Sequence, residues 1–146
     1  YRLSDINCAL GISQLRRVEK IVNKRNTVAK YYRKNLISKK FTFQIIEKKN
    51  VSSQHLFIIR LIDRKLIKKQ LNIIQDLLKL NITVSIHYYP IYLLKFFKKM
   101  GFNQGYCKNA EDYYKSSFSI PNFEMITRKQ QDYVISNFKK VILKYS

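Results

Sequence analysis

Two histidines, His55 and His87, are the side chains in this 146-residue chain best suited to exchange a proton near neutral pH. Each falls in or at the end of a segment that reads as a strand, where a histidine with no proton partner in view is first a structural residue. His87 is the stronger candidate. It precedes Tyr88, Tyr89 and Pro90 at a point where a strand gives way to a loop, the usual place for ligand contacts on a sheet. The structural alternative is an aromatic cluster packing the rim. Cys8 and Cys107 stand far apart, with neither zinc-type spacing nor a Cys-x-x-Cys pair, so no metal site is expected. The 3 glycines cannot supply a phosphate-binding loop, and no Ser-His-Asp or His-Glu-x-x-His arrangement occurs. A self-contained catalytic centre is therefore not expected.

The elements that must carry these residues follow from periodicity. From Ser4 to about Tyr32, apolar residues at Leu15, Val18, Ile21, Val22, Val28, Ala29 and Tyr32 recur at three- and four-residue steps. One long amphipathic helix capped by Ser4 is expected there, with Gly11 marking a close approach of another backbone. Phe41-Thr42-Phe43 reads as a short edge strand. Residues 53–62 read as a strand, and Asp63 caps a helix whose stripe is Ile67, Leu71, Ile74 and Leu78. A second strand over Ile82–Ile86 would complete a strand-helix-strand unit. Leu93–Met100 forms a short helix stopped by Gly101, and Asn109–Asp112 has the spacing of a capping box. Ser119-Ile120-Pro121 is extended. Thr127 and Gln130 then cap a last helix carrying Val134, Phe138, Val141 and Tyr145. The fold class expected is a small α/β or α+β domain with one long leading helix.

Composition narrows the function classes. With 46% hydrophobic and 26% charged residues the chain is neither disordered nor collagen-like. No apolar run reaches the roughly 20 residues of a membrane-spanning helix. Sparse cysteine fits a reducing cytoplasm, which is the compartment expected. The 29 Lys and Arg against 9 Asp and Glu give a net charge of +20, which raises a nucleic-acid-binding module as an alternative. Lysine pairs are nevertheless spread along the chain at 39–40, 48–49, 68–69, 98–99 and 139–140, as on a solvated surface shaped by AT-rich codon usage.

Motifs then join these elements to a family. Tyr1 through Leu15, YRLSDINCALGISQL, resembles the NYRLSDIQAALGLSQL segment of the DegT/StrS-type sugar-nucleotide aminotransferases, which use pyridoxal phosphate. Ser53–Phe57 is similar to that family's S-x-H-L-(Y/F) strand, and His87–Ile91 to its HY-x-P-(L/I) turn. Asn109–Tyr113 with Ser119–Pro121 resembles its AE…SLP stretch. Gly101-Phe102, Gly105-Tyr106 and Gln130–Ile135 bring the chain nearest to the pseudaminic-acid branch.

The resemblance implies the C-terminal small domain of a fold-type-I aminotransferase, spanning 1–146, with the interdomain helix at about 4–32. It further implies a homodimer, a nucleotide-sugar substrate and an amino donor such as glutamate. The N-terminal large domain, with the cofactor-bearing lysine, would lie outside the chain, which opens without methionine. No catalytic residue is assigned, and the fragment is expected to be inactive alone. Tyr1 and Arg2 would lie beside the cofactor phosphate or the anionic part of a substrate in the neighbouring subunit, unless they form a frayed terminus; His87, Tyr88 and Tyr89 would border the nucleotide-sugar pocket. Three departures stand out: Tyr92-Leu-Leu-Lys95 replaces H-x-Q-P, Glu124 stands for a proline, and Gln54 for an aromatic. A nonfunctional remnant of the enzyme is thus a third reading.

Overall fold

Ser4 starts the first helix by accepting the Asn7 N–H on its side-chain oxygen at 3.3 Å, as a cap should. The computed structural model describes residues 2–146, leaving Tyr1 outside the described residues. The single leading helix expected is in fact two, α1 (Asp5–Leu15) and α2 (Val18–Asn35). At the break the Arg17 N–H turns to the Gln14 carbonyl at 3.0 Å, a tightened last turn. The Arg17 guanidinium meanwhile reaches Glu124 at 3.0 Å. The buried stripe begins only beyond the break. Val28, Ala29 and Tyr32 of α2 are buried, whereas α1 buries nothing. A side chain at Gly11 would meet nothing within 4 Å, so the close approach expected there does not occur among the described residues.

Three strands form one antiparallel sheet in the order β1 (Phe41–Phe43), β2 (Phe57–Leu61), β3 (Ser117–Ile120). Phe41 pairs with Leu61 and Phe57 with Ile120. β2 is shorter than the 53–62 expected, because Gln54 takes a positive φ of 47° and its N–H turns to Ser52 Oγ at 3.1 Å, which delays pairing until Phe57. The strand expected at Ile82–Ile86 is a single antiparallel bridge, Ser85 to Ser119, so among the described residues this segment does not complete a strand-helix-strand unit. The cause is that β1 and β3 occupy both edges of β2, leaving the 82–86 segment only the outer edge of β3. Residues 117–120, expected merely as extended, supply the third strand. The class is therefore mixed α and β, realised as α+β.

Asp63 caps as expected, accepting the Lys65 N–H at 2.7 Å. The helix that follows is broken at Lys69 into α3 (Arg64–Lys68) and α4 (Gln70–Lys79). The buried face runs one position ahead of the expected stripe from Leu66 onward, through Gln70, Ile73 and Leu77 with Ile74 retained, leaving the expected members Leu71 and Leu78 exposed. A 3-10 turn (Ile91–Leu93) leads into α5 (Lys95–Lys99), and Gly101 ends it with φ 96°. α6 (Lys108–Ser116) starts earlier than the Asn109 box would have it. Its N-cap, Cys107, makes no side-chain cap bond. α7 (Arg128–Lys144) carries the expected Thr127–Gln130 capping box and buries Val134, Phe138 and Val141. The core is aromatic at its centre: Phe138 lies edge-on to Phe41 at 5.2 Å, and Tyr32 meets Phe57 at 5.1 Å. Asp76 ties α4 to α7, accepting Lys144 Nζ at 2.6 Å and the Tyr145 hydroxyl at 2.8 Å, which together hold its carboxyl below the usual range.

Candidate functional site

The Ser85–Ser119 bridge brings the outer segment alongside β3 and ends two residues before the turn that carries His87. His87 Nε2 lies 2.7 Å from Ser119 Oγ, and its Nδ1 is buried without a partner among the described residues. Burial, then the nearby His55, pushes its pKa below the ordinary value. The imidazole is accordingly neutral near physiological pH and serves as a hydrogen-bond partner rather than a cation. Tyr88 stands edge-on to His87 at 4.8 Å and is 72% exposed, while Tyr89 is edge-on to Tyr114 of α6 at 5.4 Å. The turn thus offers an aromatic rim to solvent, with one face anchored on the sheet and the other on α6.

His55 lies close by. Its Nδ1 sits 3.0 Å from an Arg25 guanidinium nitrogen, which can only donate, so the ring proton is on Nε2. Gln54 beside it is pinned by Asn122, whose side-chain amide donates to the Gln54 carbonyl at 2.7 Å. Between these residues and the start of α7 is a cavity of about 700 Å³ whose walls include His55, Ser119, Asn122, Ile126, Lys129 and Tyr133. Arg25 and Asn122 are not legible from the sequence, and Ser119 only as part of the extended stretch before Pro121. Arg25 lies 30 residues from His55 and Asn122 lies 68 from Gln54, and no local pattern announces such pairs.

Of the expected site residues, His87, Tyr88 and Tyr89 are brought together. Tyr1 lies outside the described residues. Arg2 is exposed at the entry to α1, and among the described residues no hydrogen bond or ion pair ties it to the His87 turn. The cavity does not fit pyridoxal phosphate unaided. Lys129 is the one lysine in its wall, and no carboxylate faces it to pair with a pyridine nitrogen. Among the described residues no cluster could hold a metal ion, and no helix is long and apolar enough to cross a membrane.

The lowered pKa of His87 has a signed consequence. Below about pH 6.5 the unfolded chain takes up a proton that the folded chain refuses, so stability falls with acidification and the loss levels off once the folded histidine also titrates. Urea midpoints at about pH 7.5 and pH 5.5 should show this drop, and His87→Gln should flatten it. An unchanged slope in the variant would remove His87 as its source.

Comparison with known proteins places this geometry. Residues 1–139 match the DegT/DnrJ/EryC1/StrS aminotransferase family. Over 136 residues the chain is 35% identical to a UDP-4-amino-4,6-dideoxy-N-acetyl-beta-L-altrosamine transaminase of Campylobacter jejuni, covering 92% of this chain and 35% of that protein. It superposes on a Helicobacter pylori aminotransferase involved in the biosynthesis of pseudoaminic acid with a TM-score of 0.89 at 29% identity, covering 99% of this chain and 39% of that one. A putative sugar aminotransferase of Streptococcus pneumoniae, solved in apo-, PMP- and PLP-forms, gives a TM-score of 0.90 at 26% identity for the apo-form, covering 99% of this chain and 36% of that one. The chain spans about a third of the length of the curated relatives it matches. A family match over residues 1–139 of the 146, with superposition of nearly the whole chain on part of a solved member, establishes that the chain belongs to the DegT/DnrJ/EryC1/StrS aminotransferase family.

Proposed function

We propose that residues 1–146 form the C-terminal small domain of a pyridoxal-phosphate-dependent sugar-nucleotide aminotransferase. The observation that carries this reading is α1. It exposes Leu3 at its entry and Ile6, Leu10, Ile12 and Leu15 along its length, yet buries no residue against the rest of the chain. An isolated helix of 11 residues is marginal in water and is held in proteins by packing an apolar face. At about 100° per residue Leu3, Ile6 and Leu10 fall on one side of α1 and Ile12 and Leu15 on the opposite side, so two apolar surfaces are bare, suited to a large domain and to a second copy of the enzyme. With α2 it forms the connecting segment at about 4–32, now seen as two helices.

In this reading the cofactor and its lysine belong to the large domain, and the chain described here supplies no catalytic group. Its residues bind, orient and exclude water. Tyr88 and Tyr89 present aromatic faces to the base or sugar, with hydroxyls for its polar groups. Neutral His87, held by Ser119 through Nε2 and with Nδ1 buried, borders the pocket as the support against which Tyr88 stands edge-on. Tyr1 and Arg2 are proposed to meet the cofactor phosphate or an anionic part of the substrate across the dimer, where a guanidinium suits paired hydrogen bonds. The complete enzyme would move an amino group from glutamate to a keto-sugar nucleotide in the cytoplasm. The relatives' names give a nucleic-acid role no support.

Two measurements test this. Coding sequence upstream of the Tyr1 codon should continue in frame into a lysine-bearing large domain. Co-expression with that domain should give a complex with the visible absorbance of bound pyridoxal phosphate and transaminase activity on a keto-sugar nucleotide. A start codon immediately before Tyr1, or colourless chains that do not associate, would overturn the proposal.

A further inference from the structure

We propose that Glu111 is the positioning residue of the substrate rim: its carboxylate clasps the Ile91–Leu93 turn through the Tyr92 hydroxyl and the 101–107 loop through the Gly105 amide, and so sets where Tyr88 and Tyr89 stand. The inference rests on the reading of the rim given above. Glu111 lies in the first turn of α6, between the Asn109 and Asp112 whose spacing suggests a capping box. It is 5% exposed and turned inward.

A buried carboxylate is costly unless it is hydrogen-bonded, and this one is. Glu111 Oε1 accepts the Tyr92 hydroxyl at 2.7 Å and the Gly105 N–H at 2.6 Å, while Lys115 Nζ stands 4.0 Å from Oε2. These donors, the Gly105 amide foremost, hold its pKa below the usual range, so it is charged at neutral pH. Gly105 reaches the carboxylate with φ 94°, a conformation that side chains resist although space there is open. The Tyr92 hydroxyl also accepts the Cys107 N–H at 3.3 Å, so one hydroxyl joins turn, loop and helix. Tyr106 of the loop packs back on the Tyr92 ring at 5.6 Å.

The clasp reaches the rim along two routes. Tyr92 follows Tyr89 and Pro90 within one rigid unit, since the Leu93 N–H bonds the Pro90 carbonyl at 2.9 Å. Tyr89 itself leans on Tyr114, which lies three residues after Glu111 and hence on the same side of α6. Helix α6 therefore grips the turn on both sides of Pro90, through Glu111 and Tyr92 on one side and Tyr114 and Tyr89 on the other.

The test uses the complete enzyme with Tyr92→Phe, which removes one hydroxyl and keeps the ring, and Glu111→Gln, which keeps the acceptor oxygen and loses the charge. Tyr92→Phe should raise KM for the nucleotide sugar about tenfold with kcat within about twofold, and Glu111→Gln should do so less. The ring NMR signals of Tyr88 and Tyr89 should shift and the Gly105 and Cys107 amides should exchange faster. Unmoved ring signals would overturn the clasp even if the enzyme acts on no nucleotide sugar, an outcome that would instead sink the functional reading. Shifted signals with unchanged KM would leave the clasp structural only and overturn its positioning role, as would kcat falling as far as KM rises.

Discussion

Phe138→Ala should destabilise the domain by about 3–5 kcal/mol, as full truncation of a buried aromatic does. The total stability of a domain is typically about 5–15 kcal/mol, so this one change removes a large share of it. The size of the effect follows from position. Phe138 is wholly buried and meets Phe41 from β1 at 5.2 Å and Phe118 from β3 at 6.4 Å, so it bridges both outer strands from α7. The edge-on pair with Phe41 adds about 0.5–1.5 kcal/mol beyond the area buried. Neither strand can close over the cavity without leaving its ladder on β2, which places the loss toward the upper end. Leu143→Ala, on the same helix but 72% exposed, should cost less than about 0.5 kcal/mol. Urea unfolding should show a lowered midpoint at unchanged slope for the first and no resolved shift for the second. Equal midpoints would mean that α7 does not pack on the sheet as described.

The same helix shows why some of the molecule was legible in advance. Thr127 and Gln130 satisfy orphan amides within four residues, and the α7 stripe is read from one periodicity; nothing distant can change either. Ser4 and Asp63 were read for the same reason. The misses are non-local. The α1–α2 break coincides with an ion pair spanning 107 residues, and the buried stripe of α3 and α4, set from Leu66 onward by what packs against it, runs one position ahead of the one that periodicity alone suggests. The third strand is not legible locally because the partner that makes it a strand lies some 60 residues upstream, Phe57 to Ile120. At the site, the His87 turn could be found because its residues are contiguous and resemble a family motif. The Arg25–His55 and Asn122–Gln54 links exist only in the fold. Glu111 shows the other limit: the spacing of Asn109 and Asp112 says nothing of the carboxylate between them, and only the presence of Tyr92 and Gly105 beside it turns it inward.

Leu10→Asp on α1 should leave the domain folded and abolish its assembly. Leu10 is 60% exposed in this chain and touches no part of the core, so the folded domain should lose less than about 0.5 kcal/mol. In the assembled enzyme the proposed interface covers it. The substitution there forfeits about 1.5–3 kcal/mol of apolar burial and adds a carboxylate that must be dehydrated without a partner, which together weaken association by well over about 100-fold. Gly11→Leu is the companion test. Gly11 has open space around it in this chain and costs α1 about 1 kcal/mol relative to alanine, so a leucine should strengthen the helix on its own. If the partner's backbone seats there, the same leucine should block assembly with no charge involved. Circular dichroism and urea midpoints report the fold; light scattering and cofactor absorbance of the co-expressed complex report the assembly. Wild-type stoichiometry with Leu10→Asp would take α1 out of the interface, and the bare apolar face on which the functional reading rests would then need another occupant.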